Sequence, residues 1–163
     1  RDKRYLSTMG CLMSVMLIVC VCFFPVPYQD ELLETMIADG EGLANNFIPF
    51  HTIISIFSDA ITYHAYGTLC YQFFGNILLF MPLGFSLYCY FKEDKKFVRM
   101  LCSVIAITVF VEIWQWVFNA MLQVNYRCVD VDDIILNTIG GILGFCIASF
   151  GISMLKSFFG KNK

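Results

Sequence analysis

Four long apolar runs dominate this sequence and restrict what the chain can fold into. They span residues 5–24, 69–91, 98–118 and 134–159. A helix needs about 20 apolar residues to cross the hydrocarbon core of a bilayer, and each run is long enough. Because 58% of the residues are hydrophobic and only 15% are charged, the composition does not fit a soluble globular domain. The sequence predicts one all-α domain over residues 1–163, a polytopic membrane protein with four transmembrane helices.

The first apolar run follows Arg1, Lys3 and Arg4, an arrangement that also occurs in signal peptides. The run is longer than the apolar core of a signal peptide, and no small-x-small cleavage site follows it. We therefore predict a retained transmembrane helix.

The basic residues fall on one side of the membrane when four spans are counted. Ten of the 11 Lys and Arg residues lie on one side, before the first span, between or at the adjoining ends of the second and third, and at or after the end of the fourth, and only Arg127 lies opposite. Because positively charged loops stay in the cytoplasm, we predict cytoplasmic N- and C-termini and an outer loop over residues 25–68. No basic stripe favours nucleic-acid binding.

The predicted outer loop carries six acidic residues and no Lys or Arg. Residues 30–39 and 52–63 each place apolar side chains on one helical face, which predicts two short interfacial helices. Thr52 is a suitable N-cap for the second of them. His51 and His64 lie in the same loop, where we interpret them as surface or packing residues.

Three predicted spans place a polar side chain at nearly one depth. At about 1.5 Å per helical residue, Asn76, Glu112 and Asn137 lie roughly 6–10 Å below the outer membrane boundary. A carboxylate at this depth costs about 2 kcal/mol or more unless it is paired or protonated. We expect Glu112 to pair with Arg127 in a pocket open to the outer surface. Hydrogen bonds from Gln115 and Asn137 to Glu112 are the alternative.

The candidate ligand-binding residues are the polar side chains near the outer ends of the last three spans. Each has a structural alternative, because asparagines also hydrogen-bond between helices and acidic residues also occupy hydrated loop ends. Gly140 and Gly144 form a GxxxG step, which lets a neighbouring backbone approach closely. The candidate residues are Asn76, Glu112, Gln115, Arg127, Asp130, Asp133 and Asn137.

Several short motifs occur together in a fixed order. The sequence has NFIPF at 46–50, NILLFMPLG at 76–84 and EIWQ at 112–115, followed by a polar and glycine-rich stretch at 127–144. This stretch contains Arg127, Asp130, Asp133, Asn137, Gly140, Gly141 and Gly144. The combination resembles the VanZ-like family over most of the chain after residue 45, while residues 25–45 have no fixed counterpart in the resemblance.

The resemblance implies a bacterial cytoplasmic-membrane protein of the glycopeptide-resistance type. The family's namesake is associated with lowered susceptibility to teicoplanin, a lipid-bearing glycopeptide that acts at the outer membrane surface. No cofactor is implied.

Two classes of function fit the predicted pocket. A non-enzymatic protein would bind a membrane lipid, a lipid-linked cell-wall precursor or a lipoglycopeptide, and would contribute to glycopeptide resistance or to cell-envelope homeostasis. An intramembrane enzyme would use Glu112, Asp130 or Asp133 as a general acid or base. Arg127 would then hold a phosphate or carboxylate of the substrate.

A metal site and a disulfide are further alternatives. Asp130, Asp132 and Asp133 supply oxygen ligands that would suit a divalent cation. Cys70 and Cys128 lie near the outer ends of two apolar runs, although the sequence does not fix their separation. Cys128 is also a conceivable nucleophile, but no partner base is identifiable. Transport is disfavoured because no path of ionisable residues reaches the cytoplasm, and the oligomeric state stays open.

Overall fold

A computed structural model of the chain describes residues 2–24, 29, 45–92, 95–123 and 126–160. Within these ranges the helices are α1 (Asp2–Phe23), α2 (His51–Tyr63), α3 (Tyr66–Tyr90), α4 (Lys96–Leu122) and α5 (Val131–Gly160). Four of them, α1, α3, α4 and α5, are long and apolar enough to cross a membrane. The prediction of an all-α protein with four transmembrane helices is therefore confirmed.

The two predicted interfacial helices have different outcomes. Residues 30–39 lie outside the described residues. Residues 52–63 are helical and belong to α2, whose position at a membrane interface stays a prediction. The expected N-cap at Thr52 is wrong, because α2 begins at His51 and no side chain of the capping residue bonds its first turn. The N–H groups of Phe50 and Ile53 instead donate to the side chain of Asp132, which lies in the first turn of α5.

The helix α3 contains an irregular segment close to its beginning. It starts as a short α-helical segment at Tyr66–Thr68, continues as a π-helix at Leu69–Phe74, and is a regular α-helix from Gly75 to Tyr90. The apolar run predicted a start at residue 69. The helix begins three residues earlier, at Tyr66, because aromatic and small residues outside the apolar run extend it. The π-helix widens the turn immediately before Asn76.

The helix α5 begins at Val131, three residues before the predicted start at residue 134. Its first turn contains Asp132 and Asp133. Negative side chains there are favourable because the N–H groups at a helix start carry partial positive charge. The acidic residues therefore belong to the helix rather than to the loop that precedes it.

The closest packing in the bundle joins α3 and α5 through glycines. A Cβ added at Gly140 would collide with the backbone of Ile77, and one added at Gly144 would collide with the backbone of Met81. A Cβ at Gly84 would likewise meet the backbone of α5. The contact of Ile77 with Gly140 is followed, four residues later on both helices, by the contact of Met81 with Gly144. The helices α3 and α5 therefore run in the same direction. The prediction that the GxxxG step admits a neighbouring backbone is confirmed.

The four long helices share an apolar core. Of the most apolar window in each long helix, only 17–28% is buried inside the protein. Most of the remaining apolar surface faces outward, as expected for helices surrounded by lipid. The buried core residues include Ile18, Phe80, Leu83, Met100, Val104 and Phe145.

Candidate functional site

A cavity of about 670 Å³ lies at the end of the bundle where α1 and α4 end and where α3 and α5 begin. We refer to this end as the cavity end. Apolar side chains such as Leu17, Leu79 and Val111 form part of the cavity wall. All seven candidate ligand-binding residues also line it: Asn76, Glu112, Gln115, Arg127, Asp130, Asp133 and Asn137. Ligand binding by these residues stays a prediction.

Glu112 lies deep in this cavity, with only 6% of its surface exposed. Its Oε2 accepts a hydrogen bond of 3.0 Å from the backbone N–H of Asp130. The expected pairing with Arg127 is wrong, because the Arg127 Nη2 donates instead to the carbonyl of Phe24 at 3.0 Å. Glu112 therefore stabilises the backbone that leads into α5, where N–H groups lack partners within the helix.

The expected hydrogen bonds from the two amides to Glu112 are also wrong. Gln115 donates through Nε2 to the carbonyl of Cys22 at 3.4 Å. Asn137 donates through Nδ2 to the hydroxyl of Thr108 at 2.9 Å. The amide oxygens Gln115 Oε1 and Asn137 Oδ1 are both buried and accept no hydrogen bond from the described residues. Two acceptors in the cavity wall are thus left without a donor.

Thr108 is a residue that the sequence reasoning missed. It is fully buried between the helices. Its position four residues before Glu112 places it on the same face of α4, so the helical spacing alone contained the signal. Its hydroxyl joins α4 to Asn137 in α5.

Asp133 connects α5 to α3. Its Oδ1 accepts a hydrogen bond of 2.5 Å from Asn76 Nδ2. The structural interpretation of Asn76 as a residue that bonds between helices is therefore correct. Among the described residues, no donor reaches Asp133 Oδ2 or Glu112 Oε1, and both residues line the cavity. In each carboxylate, one oxygen accepts a hydrogen bond within the protein, and the other oxygen is available to a ligand in the cavity.

Asp130 and Asp132 hold the segment before α2 against the start of α5. Asp130 Oδ1 accepts hydrogen bonds of 2.8 Å from Asn46 Nδ2 and from the N–H of Asp132. The carboxylate of Asp132 accepts from the N–H groups of Phe50 at 2.5 Å and Ile53 at 3.1 Å. Because Asp130 is 4% exposed and Asp132 is 1% exposed, the interpretation as a hydrated loop end is wrong.

These contacts also bear on the proposed metal site. Both Asp132 oxygens are committed to backbone N–H groups. Within the described part of the chain, no group of three or more His, Cys, Asp or Glu residues is arranged to hold a metal ion. The arrangement of Asp130, Asp132 and Asp133 therefore does not support a metal centre.

Asn45 and Asn46 are further residues whose roles the sequence did not reveal. The backbone of Asn46 donates to the carbonyl of Val129 at 2.9 Å and accepts from the N–H of Val131 at 3.0 Å. Asn45 Oδ1 accepts from the N–H of Val129 at 3.0 Å. The NFIPF motif at 46–50 thus begins with a single parallel β-bridge between Asn46 and Asp130. The pair of consecutive asparagines is the sequence feature that could have indicated these hydrogen bonds.

Asn119 positions the loop that carries Arg127. Its Nδ2 donates to the Arg127 carbonyl at 2.6 Å, and its Oδ1 accepts from the Arg127 N–H at 3.2 Å. The guanidinium lies 5.1 Å from the centre of the Tyr126 ring. These contacts fix the backbone of Arg127 at the edge of the cavity.

The histidines and cysteines do not add a nucleophile–base pair to the cavity. His64 interacts with the hydroxyl of Tyr66 at 3.2 Å, and neither histidine lines the cavity. Cys70 is an exposed free thiol, so the conceivable Cys70–Cys128 disulfide is not formed. Cys128 lines the cavity, but burial raises the pKa of its thiol to about 11, with Asp130 and Asp133 adding to the shift. This protonated thiol is a poor nucleophile.

The model of the VanZ/LLP1 family matches residues 11–154. The chain belongs to the VanZ/LLP1 family. The match includes all the cavity-lining residues and the segment 25–45, for which the motif resemblance had offered no counterpart. No curated protein and no solved structure matches the chain.

Proposed function

We propose that this VanZ/LLP1 protein binds a membrane lipid or a lipid-linked cell-envelope molecule in the cavity at its cavity end. We also propose that it lies in the cytoplasmic membrane of a bacterium with both termini in the cytoplasm. The positive-inside distribution of Lys and Arg supports this orientation. The cavity end would then face the outer leaflet and the external water.

The observation that carries the proposal is the mixed character of the cavity wall. Leu17, Val21 and Leu78 form an apolar part of the cavity wall and are 46%, 45% and 61% exposed. Carboxylates, amide oxygens and Arg127 occupy the polar part of the same wall. A cavity that is apolar toward the lipid and polar at its end fits an amphiphile with its chain and headgroup in those two regions.

A cavity of this kind would link the protein to glycopeptide resistance or to cell-envelope homeostasis. Binding of a lipid-linked cell-wall precursor would limit the access of a lipoglycopeptide to that precursor. Binding of the lipoglycopeptide itself would withdraw it from its target. Family membership motivates this proposal.

An intramembrane enzyme is the second candidate, and the free carboxylate oxygens favour it. Glu112 Oε1 and Asp133 Oδ2 have no donor among the described residues, and both residues line the cavity. One carboxyl group would transfer a proton to or from the bound headgroup. The guanidinium of Arg127 would hold a phosphate of that substrate.

The experiment that tests the cavity uses two glycines. A Cβ at Gly75, which lines the cavity, meets nothing within 4 Å. Gly75→Leu should therefore fill the cavity without displacing the backbone. Gly151 has equally open surroundings but does not line the cavity, so Gly151→Leu is the matched control.

We expect Gly75→Leu to remove the lipid that co-purifies with the protein and to lower teicoplanin resistance in an expressing host. Gly151→Leu should retain both properties, and vancomycin susceptibility provides a comparison with a glycopeptide that lacks the lipid chain. Equal lipid retention by both variants would contradict binding in the cavity. Unchanged teicoplanin susceptibility on expression of the wild-type chain would remove the resistance function.

Binding and catalysis are distinguished by the bound molecule. Glu112→Gln and Asp133→Asn keep the side-chain size and remove a proton-transferring group. If the protein is an enzyme, the variants should accumulate a bound lipid whose mass differs from that of the lipid on the wild type. An identical bound lipid on all three proteins, measured by mass spectrometry, would favour binding without turnover.

A further inference from the structure

We infer that the headgroup bound in the cavity carries a primary ammonium group beside a phosphate. This inference rests on the proposed function and names the chemical class of its ligand. It follows from the imbalance between hydrogen-bond acceptors and donors in the polar part of the cavity wall.

The cavity wall has acceptors whose donors are missing. Gln115 and Asn137 are 8% and 3% exposed, and their amide oxygens are buried without a partner. Glu112 Oε1 and Asp133 Oδ2 also receive no hydrogen bond from the described residues, and neither oxygen is fully buried. A buried acceptor that remains unpaired carries a large desolvation cost. A ligand that donates several hydrogen bonds at this place would remove that cost.

The charge of the cavity wall also favours a ligand that carries an ammonium group. Glu112 and Asp133 receive hydrogen bonds only from a neutral backbone N–H and a neutral amide, and neither forms an ion pair within the described ranges. Arg127 directs its Nη2 to a carbonyl. A cationic ligand would supply the counter-ion with which these carboxyl groups remain ionised in a buried site.

A primary ammonium meets both requirements. It has three N–H donors and one positive charge. A quaternary ammonium has the charge but no donor, and a sugar or glycerol hydroxyl donates but has no charge. A divalent cation is disfavoured because the described residues contain no group of three suitable ligands.

Arg127 supplies the complementary charge for the phosphate. Its Nε is buried and donates to no partner in the described part of the chain, and its guanidinium lies against the Tyr126 ring at the cavity edge. A guanidinium presents its donors in a planar fork that fits phosphate oxygens. The phosphate would lie at the edge and the ammonium deeper, near Glu112 and Asp133.

The test compares lipids that differ only in the headgroup. The full-length protein in nanodiscs is titrated with dioleoyl phosphatidylethanolamine, phosphatidylcholine and phosphatidylglycerol, and bound lipid is measured by native mass spectrometry. We expect the ethanolamine lipid to bind about tenfold more tightly than the other two, since charge-assisted hydrogen bonds are lost with choline or glycerol. The double variant Glu112→Gln, Asp133→Asn should lose this preference. Asp59→Asn, a substitution outside the cavity lining, should keep it.

The source of the ammonium is identified in a second arm. A lipid-linked cell-wall precursor with a free amine is compared with its N-acetylated form. Tighter binding of the free amine supports the inference and would assign the ligand to the precursor if it also exceeds the affinity for the ethanolamine lipid. Equal binding of the acetylated form and of the choline lipid would overturn the inference.

The ligand inference and the proposed function fail in different ways. If choline or glycerol lipids bind as tightly as the ethanolamine lipid, and Gly75→Leu still displaces them, the ammonium is wrong and the cavity remains the binding site. If Gly75→Leu and Gly151→Leu bind every lipid like the wild type, the cavity is not the site and both are wrong. Because the wild-type protein alone reports the headgroup preference, a variant that fails to fold does not affect the test of the ammonium group.

Discussion

Four carboxylates near the start of α5 have two different roles. Asp130 and Asp132 accept hydrogen bonds that attach residues 46–53 to the helix start. Glu112 and Asp133 each give one oxygen to the fold and leave the other at the cavity. An acceptor without a donor in a low-dielectric site carries a free-energy cost, which a ligand that donates hydrogen bonds would remove. The unsatisfied oxygens therefore mark the part of the cluster that is available to a ligand.

Asp132 should be the most important of these residues for stability. Asp132→Ala removes the acceptors of the Phe50 and Ile53 N–H groups, and Phe50 is held at a positive φ of 66°. We expect a loss of about 3 kcal/mol of stability from these charge-assisted bonds, measured by thermal unfolding in detergent. Asp59→Ala, on the same helix as Ile53, is the control. Equal melting temperatures for the two variants would contradict this role.

The Cys128 thiol should react slowly with maleimide at neutral pH. Burial raises its pKa to about 11, so the thiolate that reacts is on the order of one molecule in several thousand at pH 7.5. Because the raised pKa favours the protonated form, the labelling rate should rise about tenfold per pH unit from pH 7 to pH 9. Single-cysteine variants that retain Cys128 or the exposed Cys70 provide the comparison. A Cys128 rate that is constant across this range would contradict the raised pKa.

The sequence predicted which polar residues meet but not how they bond. Asn76, Glu112 and Asn137 were brought together because helical rise and membrane orientation determine their depth. The partners of Glu112 were wrong because they depend on the path of residues 126–130, where neither hydropathy nor spacing fixes the backbone. The role of Asp132 depends on a contact with Phe50 and Ile53, which lie far away in sequence.

At the scale of elements, apolar length predicted the helices, and glycine spacing predicted how two of them pack. The π-helix at Leu69–Phe74 was not predictable, because its hydrogen-bond pattern leaves no mark in hydropathy. It lies directly before Gly75 and Asn76, which line the cavity together with Tyr71 and Gln72. The wider turn of α3 therefore coincides with the cavity, whereas the regular part of α3 packs against α5.

The contact between α3 and α5 should be sensitive to a single methyl group. Gly144→Ala places a Cβ against the backbone of Met81, where neither chain can move without separating the helices. We expect a loss of about 1–3 kcal/mol, the usual cost of overpacking, as a lowered melting temperature in detergent. Gly151→Ala adds the same methyl group in open space and should leave the melting temperature unchanged or raise it. A similar loss in both variants would contradict a specific packing role of Gly144, because alanine has the higher helix propensity and should not destabilise the open position.

The whole molecule has an apolar core, with a polar cavity at one end and a cluster of basic residues at the other. Ile18, Phe80 and Met100 are almost completely buried in the shared apolar core, while the carboxylates and unpaired amides collect at the cavity end. Arg127 is the basic residue that lines the cavity, whereas Lys92, Lys95, Lys96 and Arg99 follow α3 or begin α4 at the other end. This separation of charge supports one orientation across the membrane.

The orientation itself is testable with reporters placed at the two ends of the bundle. We expect green fluorescent protein to fluoresce when it is fused after residue 163 or inserted at 93–94, because these positions lie beside the Lys-rich end. Alkaline phosphatase should be active only when it is inserted at 124–125, near Arg127, because the enzyme requires the oxidising environment outside the cytoplasmic membrane. The opposite pattern would place the cavity end in the cytoplasm. A ligand that reaches the protein from the outer leaflet would then be excluded, and a lipid of the inner leaflet would take its place.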